Sequence, residues 1–142
     1  MRDPGQTRHR IPELTHADGT PFDRSVLRNK VTIVSYFQTW CGDCVREQPE
    51  LQKLQDRFGK DSLQVIMISD EAPELIVAFR ERFSSKLVYC HTPVSLKKDL
   101  GIRAFPTTYL LDKKGNIVIS KVEGINWYTD ETVAEISRLL RQ

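Results

Sequence analysis

The chain has 142 residues, enough for one domain that buries roughly 68–70% of the surface its unfolded form exposes, so it needs no metal or disulfide staple to fold. Hydrophobic residues make up 39% and charged residues 28%, with no apolar run near the roughly 18 residues a spanning helix requires; both disordered and membrane-spanning classes are disfavoured. The net charge is +2, from 21 Lys and Arg against 19 Asp and Glu scattered along the chain, which leaves no nucleic-acid footprint and names no partner.

Residues 1–10 carry Pro, Gly and basic residues without periodicity and read as a flexible lead-in to a domain over 11–142. The opening MRDPGQTRHRIPEL lacks an apolar core segment and is not a signal peptide as it stands. That absence is weak evidence about location, since a leader or anchor removed upstream would leave the same sequence; with none in the chain, a cytoplasmic location stays open. In HADGTPFD, Asp18-Gly19 marks a hairpin turn, an N-terminal β-hairpin extension. The run KVTIVSYF at 30–37 suits a buried strand. Val45, Leu51, Leu54 and Phe58 then recur at helical spacing until Gly59, with Pro49 marking a kink. A second strand at 63–69 and a second helix at 72–84, opened by Pro73, form a βα insertion. KLVYC at 86–90 is a short third strand, and SLKKDLGI at 95–102 gives one or two helical turns ended by Gly101. TTYLLD and NIVISKVEG are strands joined by KKGN as a hairpin. The last segment is a helix capped by Thr129 or Asp130, with Val133, Ile136, Leu139 and Leu140 on one face. This order predicts an α/β fold with a central mixed sheet and helices on both faces.

Three cysteines are too few for a disulfide scaffold, so the pair Cys41 and Cys44 in WCGDC poses a chemical question. The pair falls where the strand at 30–37 passes into the first helix. Exposed N–H groups and the positive end of the helix dipole favour a thiolate there, which makes Cys41 the nucleophile at an open helix tip. Cys44, one turn further in, is placed to resolve a mixed disulfide formed at Cys41. Far along the chain, the bond between Phe105 and Pro106 is a candidate cis peptide ahead of a strand, and it would leave the backbone of residue 105 free to pair with a substrate.

WCGDC at 40–44, Glu47, Pro49 and Leu51 in CVREQPEL, and LGIRAFPTTYLLDKKGNIV at 100–118 together resemble the thioredoxin superfamily, and within it the TlpA/ResA-like thiol-disulfide oxidoreductases. The similarity runs from about residue 11 to residue 140. It implies a thioredoxin fold, Cys41 as attacking and Cys44 as resolving thiol, Pro106 as a cis-proline facing them, and Glu47 as a residue that handles protons near the dithiol. It further implies protein thiol or disulfide substrates, an upstream electron donor, an extracytoplasmic location, and a task such as cytochrome c maturation. No cofactor is expected beyond a redox-active Cys41–Cys44 disulfide, and a monomer is the expected state.

The sequence departs from the family pattern at several positions. Gly42 and Asp43 separate the cysteines, and a carboxylate at 43 repels a neighbouring thiolate, which makes the pair more reducing. Ser35 stands where thioredoxins proper carry a buried aspartate, leaving Glu47 as the proton acceptor for Cys44. Phe105 is bulkier than the residue usual before the cis-proline and bears on substrate preference. Trp40 is read as a rim over the dithiol, and Trp40, Gly42, Asp43, Phe105 and Pro106 as substrate-contacting.

Other readings compete with this one. A CxxC can be half of a zinc site, but only Cys90-His91 could complete it, and His9, His16 and His91 lack metal spacing. No metal ligand is therefore assigned. Cys90 reads as a packed strand residue. The alternative function is a thioredoxin-fold module that binds Cu(I) or handles a peroxide, and a third is a non-catalytic scaffold.

Overall fold

The computed structural model describes residues 7–142. Six strands form one sheet: β1 (Thr15–His16), β2 (Val31–Tyr36), β3 (Leu63–Ser69), β4 (Val88–His91), β5 (Thr107–Leu111) and β6 (Ile117–Val122), in the spatial order β1-β4-β3-β2-β5-β6. Strand β2 is central, paired with β3 on one side and β5 on the other, and all six of its residues are buried. That placement explains its almost unbroken β-branched and aromatic composition, since both faces are covered. Helix α1 (Gly42–Phe58) connects β2 to β3, and α2 (Pro73–Arg82) connects β3 to β4, which makes these three strands parallel. The β5–β6 hairpin adds antiparallel strands, and α3 (Asp130–Leu140) packs back against β2.

Register assigns the two faces. Ser35, Met67 and Tyr89 are successive cross-strand partners and so share one face, with Thr108 opposite Ser35 on β5. Phe79 of α2 packs on Tyr89, and Glu47 of α1 bonds to Ser35, so both helices cover this face. Tyr36, Ile68 and Cys90 point the other way. There His9 packs on Tyr36 and Tyr109. Leu27 of the 3-10 turn Arg24–Leu27 lines a cleft with Thr32 and Leu111, which share this face. The mixed sheet flanked by helical segments is the architecture expected from the element order.

The N-terminal hairpin is small: Gly19, at φ +91°, turns the chain, His16 N–H donates to Thr20 O at 2.9 Å, and Thr15 bridges Pro21. Residues 7–10, read from sequence as lead-in, are hydrogen-bonded to the β5–β6 hairpin. Ile117 N–H donates to Thr7 O at 2.8 Å and His9 N–H to Gly115 O at 2.9 Å. The rest of the lead-in, residues 1–6, lies outside the described residues. Residues 95–100 make a single turn, Asp99 N–H donating to Ser95 O at 2.9 Å, because Asp99 and Ser95 side chains close it on itself and Gly101 ends it at φ +68°. Helix α1 continues through Pro49 to Phe58.

Candidate functional site

The strand-to-helix junction after β2 sets the geometry. Cys41 is the N-cap of α1, with extended backbone at φ −86° and ψ 118°, and its Sγ accepts the Cys44 backbone N–H at 3.2 Å. A sulfur in the place usually taken by a Ser, Thr or Asp oxygen satisfies one of the orphan N–H groups of the first turn, and in return receives a donor that favours negative charge. Two anchors hold the loop before it. The Glu71 carboxylate accepts from both Thr39 N–H and Thr39 Oγ1, each at 2.8 Å, and Gln38 Nε2 donates to Asp70 Oδ1 at 3.0 Å.

The bond between Phe105 and Pro106 is cis, and the Phe105 carbonyl lies 3.4 Å from Cys41 Sγ, accepting its thiol hydrogen. Features separated by 64 residues thus meet at one sulfur. The tip is less open than expected from sequence. Cys41 is only 7% exposed and Cys44 is fully buried, since the turn that carries Phe105 lies against the first sulfur. Trp40 is 70% exposed and meets the Phe105 ring edge-on at 6.3 Å, which places it on the rim and outside the core.

Beneath the dithiol lies a sealed polar cluster. Glu47, one turn along α1 from Cys44, is fully buried. Ser35 Oγ donates to its Oε1 at 2.6 Å and Thr108 Oγ1 to its Oε2 at 2.7 Å, while the two hydroxyls are 3.0 Å apart. Burial pushes the carboxyl up to about 7, against the opposing pull of the two hydroxyl donors and the more distant Lys121 ammonium. The indole of Trp127 also favours the carboxylate, although its buried Nε1 falls short of hydrogen-bond geometry with any described residue. Cys44 is shifted strongly upward by burial, by its contact with Cys41 and by the Glu47 charge. A thiol this resistant to ionisation needs a base beside it, and a carboxyl poised near 7 is suited to be one.

The second carboxylate of the motif behaves otherwise. Asp43 is paired with Arg46 at the surface, one turn along α1. The repulsion of a thiolate expected from its sequence position is therefore offset by a guanidinium that sequence reading had not assigned to it.

Cys90 is buried on the sheet face opposite Glu47, its thiol pushed up to about 12 by burial, which fits a packed residue. His91 Nδ1 is bonded to the Glu71 carbonyl at 2.8 Å. Among the described residues no group of three His, Cys, Asp or Glu is placed to hold a metal. All three cysteines are free thiols.

A dithiol at a helix N-terminus, a cis-proline turn against it and a mixed sheet behind it define the thioredoxin superfamily. The redoxin family description matches residues 6–139, so the chain belongs to that family. Among characterised relatives it is similar to the thiol-disulfide oxidoreductase ResA of Halalkalibacterium halodurans, at 27% identity over 90% of this chain and 72% of the relative. It is also similar to ResA of Geobacillus kaustophilus, at 28% identity over 73% of this chain; the chain spans 61% of that relative's length. A thiol-disulfide isomerase from Corynebacterium glutamicum superposes with a TM-score of 0.77 at 21% identity, covering 97% of this chain and 98% of the other. That likeness concerns the fold. No helix of the described residues is long and apolar enough to cross a membrane.

Sequence reading singled out Cys41, Cys44, Glu47 and the Phe105-Pro106 turn; the structure brings Cys44 and that turn to the Cys41 sulfur and buries Glu47 one turn further along α1. It missed Thr108, Trp127 and the Glu71 clamp. Thr108 carried a usable signal, since it is the second residue of the strand that starts right after Pro106, and its register places it opposite Ser35. Nothing in the sequence marks Trp127.

Proposed function

We propose that the protein is a thiol-disulfide oxidoreductase that reduces protein disulfides, with Cys41 attacking, Cys44 resolving and Glu47 as proton acceptor. The observation that carries this reading is the pairing of two environments three residues apart. Cys41 Sγ accepts an N–H at the tip of α1, whereas Cys44 is fully buried one helical turn before a buried carboxyl raised to about 7. The Cys41 thiolate attacks one sulfur of a substrate disulfide; that S–S bond breaks, a mixed disulfide forms, and the first substrate thiolate leaves and takes a proton from solvent. Glu47 then accepts the Cys44 proton, and the Cys44 thiolate attacks Cys41 Sγ and expels the second substrate thiolate. Two electrons pass to the substrate and a Cys41–Cys44 disulfide remains, which a dithiol donor must reduce again.

Substrate contact is assigned to Trp40, Phe105 and Pro106 at the rim, together with Gly42 and Asp43 at the start of α1. The relatives' name, thiol-disulfide oxidoreductase, supports thiols and disulfides as the substrate class. An extracytoplasmic site of action belongs to the same reading. The test is insulin reduction with dithiothreitol, alongside mass spectrometry of trapped adducts. Cys41→Ser is expected to lose turnover, and Cys44→Ser to accumulate mixed disulfides. Normal turnover in Cys41→Ser would sink the mechanism. Tight, stoichiometric Cu(I) binding by the reduced protein without disulfide reduction would favour the metal-binding alternative.

A further inference from the structure

The cations that look scattered in the sequence converge in space. A cleft of about 550 Å³ draws Arg8 and Arg10 from the N-terminal segment, Arg24, Arg28 and Lys30 from the stretch before β2, and Lys113 and Lys114 from the β5–β6 turn. Its lining holds seven cations and a single carboxylate, in a chain whose whole excess is +2, so the remainder of the molecule is net negative. That carboxylate, Asp112, is already committed. Its oxygens accept the backbone N–H groups of Lys114 and Asn116 and the Asn116 amide.

The cations divide into two sets. Arg24 donates to the carbonyls of Ile11 and Pro12, Lys113 to those of Leu140 and Gln142, and Lys30 to that of Asp61, so these three build the walls. Arg8, Arg10, Arg28 and Lys114 make no ion pair or side-chain hydrogen bond among the described residues. Bringing like charges together from three chain segments is unfavourable unless an anion offsets the repulsion. The floor is apolar, formed by Ile11, Leu27 and Leu111. His9, whose pKa burial lowers, bonds to Tyr36 Oη at 2.6 Å and belongs to this neutral floor.

We propose that this cleft binds a phosphate ester with an apolar or ring-shaped body, its phosphate held by Arg8, Arg10, Arg28 and Lys114. Guanidinium groups present forked donors that match phosphate oxygens, and a concave site of this volume with an apolar floor takes a small organic body better than a flat polyanion. The cleft opens at the N-terminal end of β2 and the dithiol follows its C-terminal end, and the six residues of that strand set the two on the order of 20 Å apart. The site is separate from the redox centre, and its ligand would leave the thiols unobstructed. A soluble nucleotide and a phospholipid headgroup share the required chemistry.

The test titrates the full chain at physiological ionic strength with ADP and with inorganic pyrophosphate by calorimetry, and separately with phosphatidylglycerol and phosphatidylcholine vesicles by sedimentation. Saturable, one-to-one binding of ADP, or saturable binding to phosphatidylglycerol alone, is expected, and the two arms distinguish the sources. Arg10→Gln combined with Arg28→Gln should weaken it by about tenfold or more, the loss of one to two charge-assisted contacts. Lys114→Gln provides an independent exposed variant should the pair disturb packing, and insulin reduction by all of them should remain at the wild-type rate. No saturation with any probe, affinity unchanged in both sets of variants, or a DNA duplex bound more tightly than ADP would overturn the proposal. The binding readouts involve no turnover, so their failure is distinct from failure of the redox mechanism.

Discussion

Two carboxylates sit four residues apart on α1, and their surroundings give them opposite properties. Asp43 occupies the first turn at the surface, where Arg46 pairs with it and water screens both. Glu47 lies one turn deeper, without solvent contact, held by Ser35 and Thr108 and raised to about 7. One residue class on one helix thus supplies a solvated surface charge and a buried carboxyl that holds its proton more tightly, and depth decides which. The lesson for this fold is that the carboxylate nearer the thiols in sequence is the weaker influence on them.

The largest effect that would break this contrast lies at Glu47. Glu47→Gln should slow resolution of a Cys41 mixed disulfide by about a hundredfold or more, the scale of losing a general base, while the initial attack is nearly unchanged. Stopped-flow kinetics with an aromatic disulfide separate the two steps. An equal loss in Asp43→Asn would erase the distinction between the carboxylates.

The same substitution should increase stability with a defined pH dependence. A carboxyl raised to about 7 from its ordinary 4.5 binds more protons folded than unfolded between those values. Its contribution to stability is fully present below about pH 4.5 and is lost as pH rises towards 7. Glu47→Gln should therefore be more stable than wild type at about pH 8, by about 3 kcal/mol, with the difference fading at about pH 4. Urea midpoints across that range give the answer.

Thr108→Val should act in the opposite sense. Removing a donor from the buried carboxylate costs about 2 kcal/mol at about pH 8, less in acid, and lifts the Glu47 pKa further. Carboxyl-carbon NMR reports the shift, and an unchanged value would remove Thr108 from the cluster. Asp43→Asn is the smallest expected change. The Asp43–Arg46 pair is largely exposed, so stability and reduction potential should move by less than about 1 kcal/mol.

The fold was legible wherever a local pattern carried it. The β3 run LQVIMIS coincides with the strand Leu63–Ser69, and the helical spacing after the cysteines coincides with α1. Residues written within one motif were equally easy to place, as Cys41 at the N-cap of α1 and Cys44 and Glu47 in its first turns. What remained hidden depends on contacts between remote segments. Thr108 reaches Glu47 across 61 residues through β-sheet register, and Arg8, Arg28 and Lys114 share a cleft although no sequence window contains them together. The partial cover over Cys41 likewise arises from a turn 64 residues away. Composition averages such arrangements out; only the folded chain produces them.

The most direct measurement is the pH profile of the resolution step, followed as decay of a preformed Cys41 mixed disulfide in wild type and in Glu47→Gln. A wild-type rate that rises through an inflection near pH 7, with that inflection absent and the plateau lowered in the variant, is the expected result. The same inflection and plateau in both proteins would contradict a role for the buried carboxyl in deprotonating Cys44.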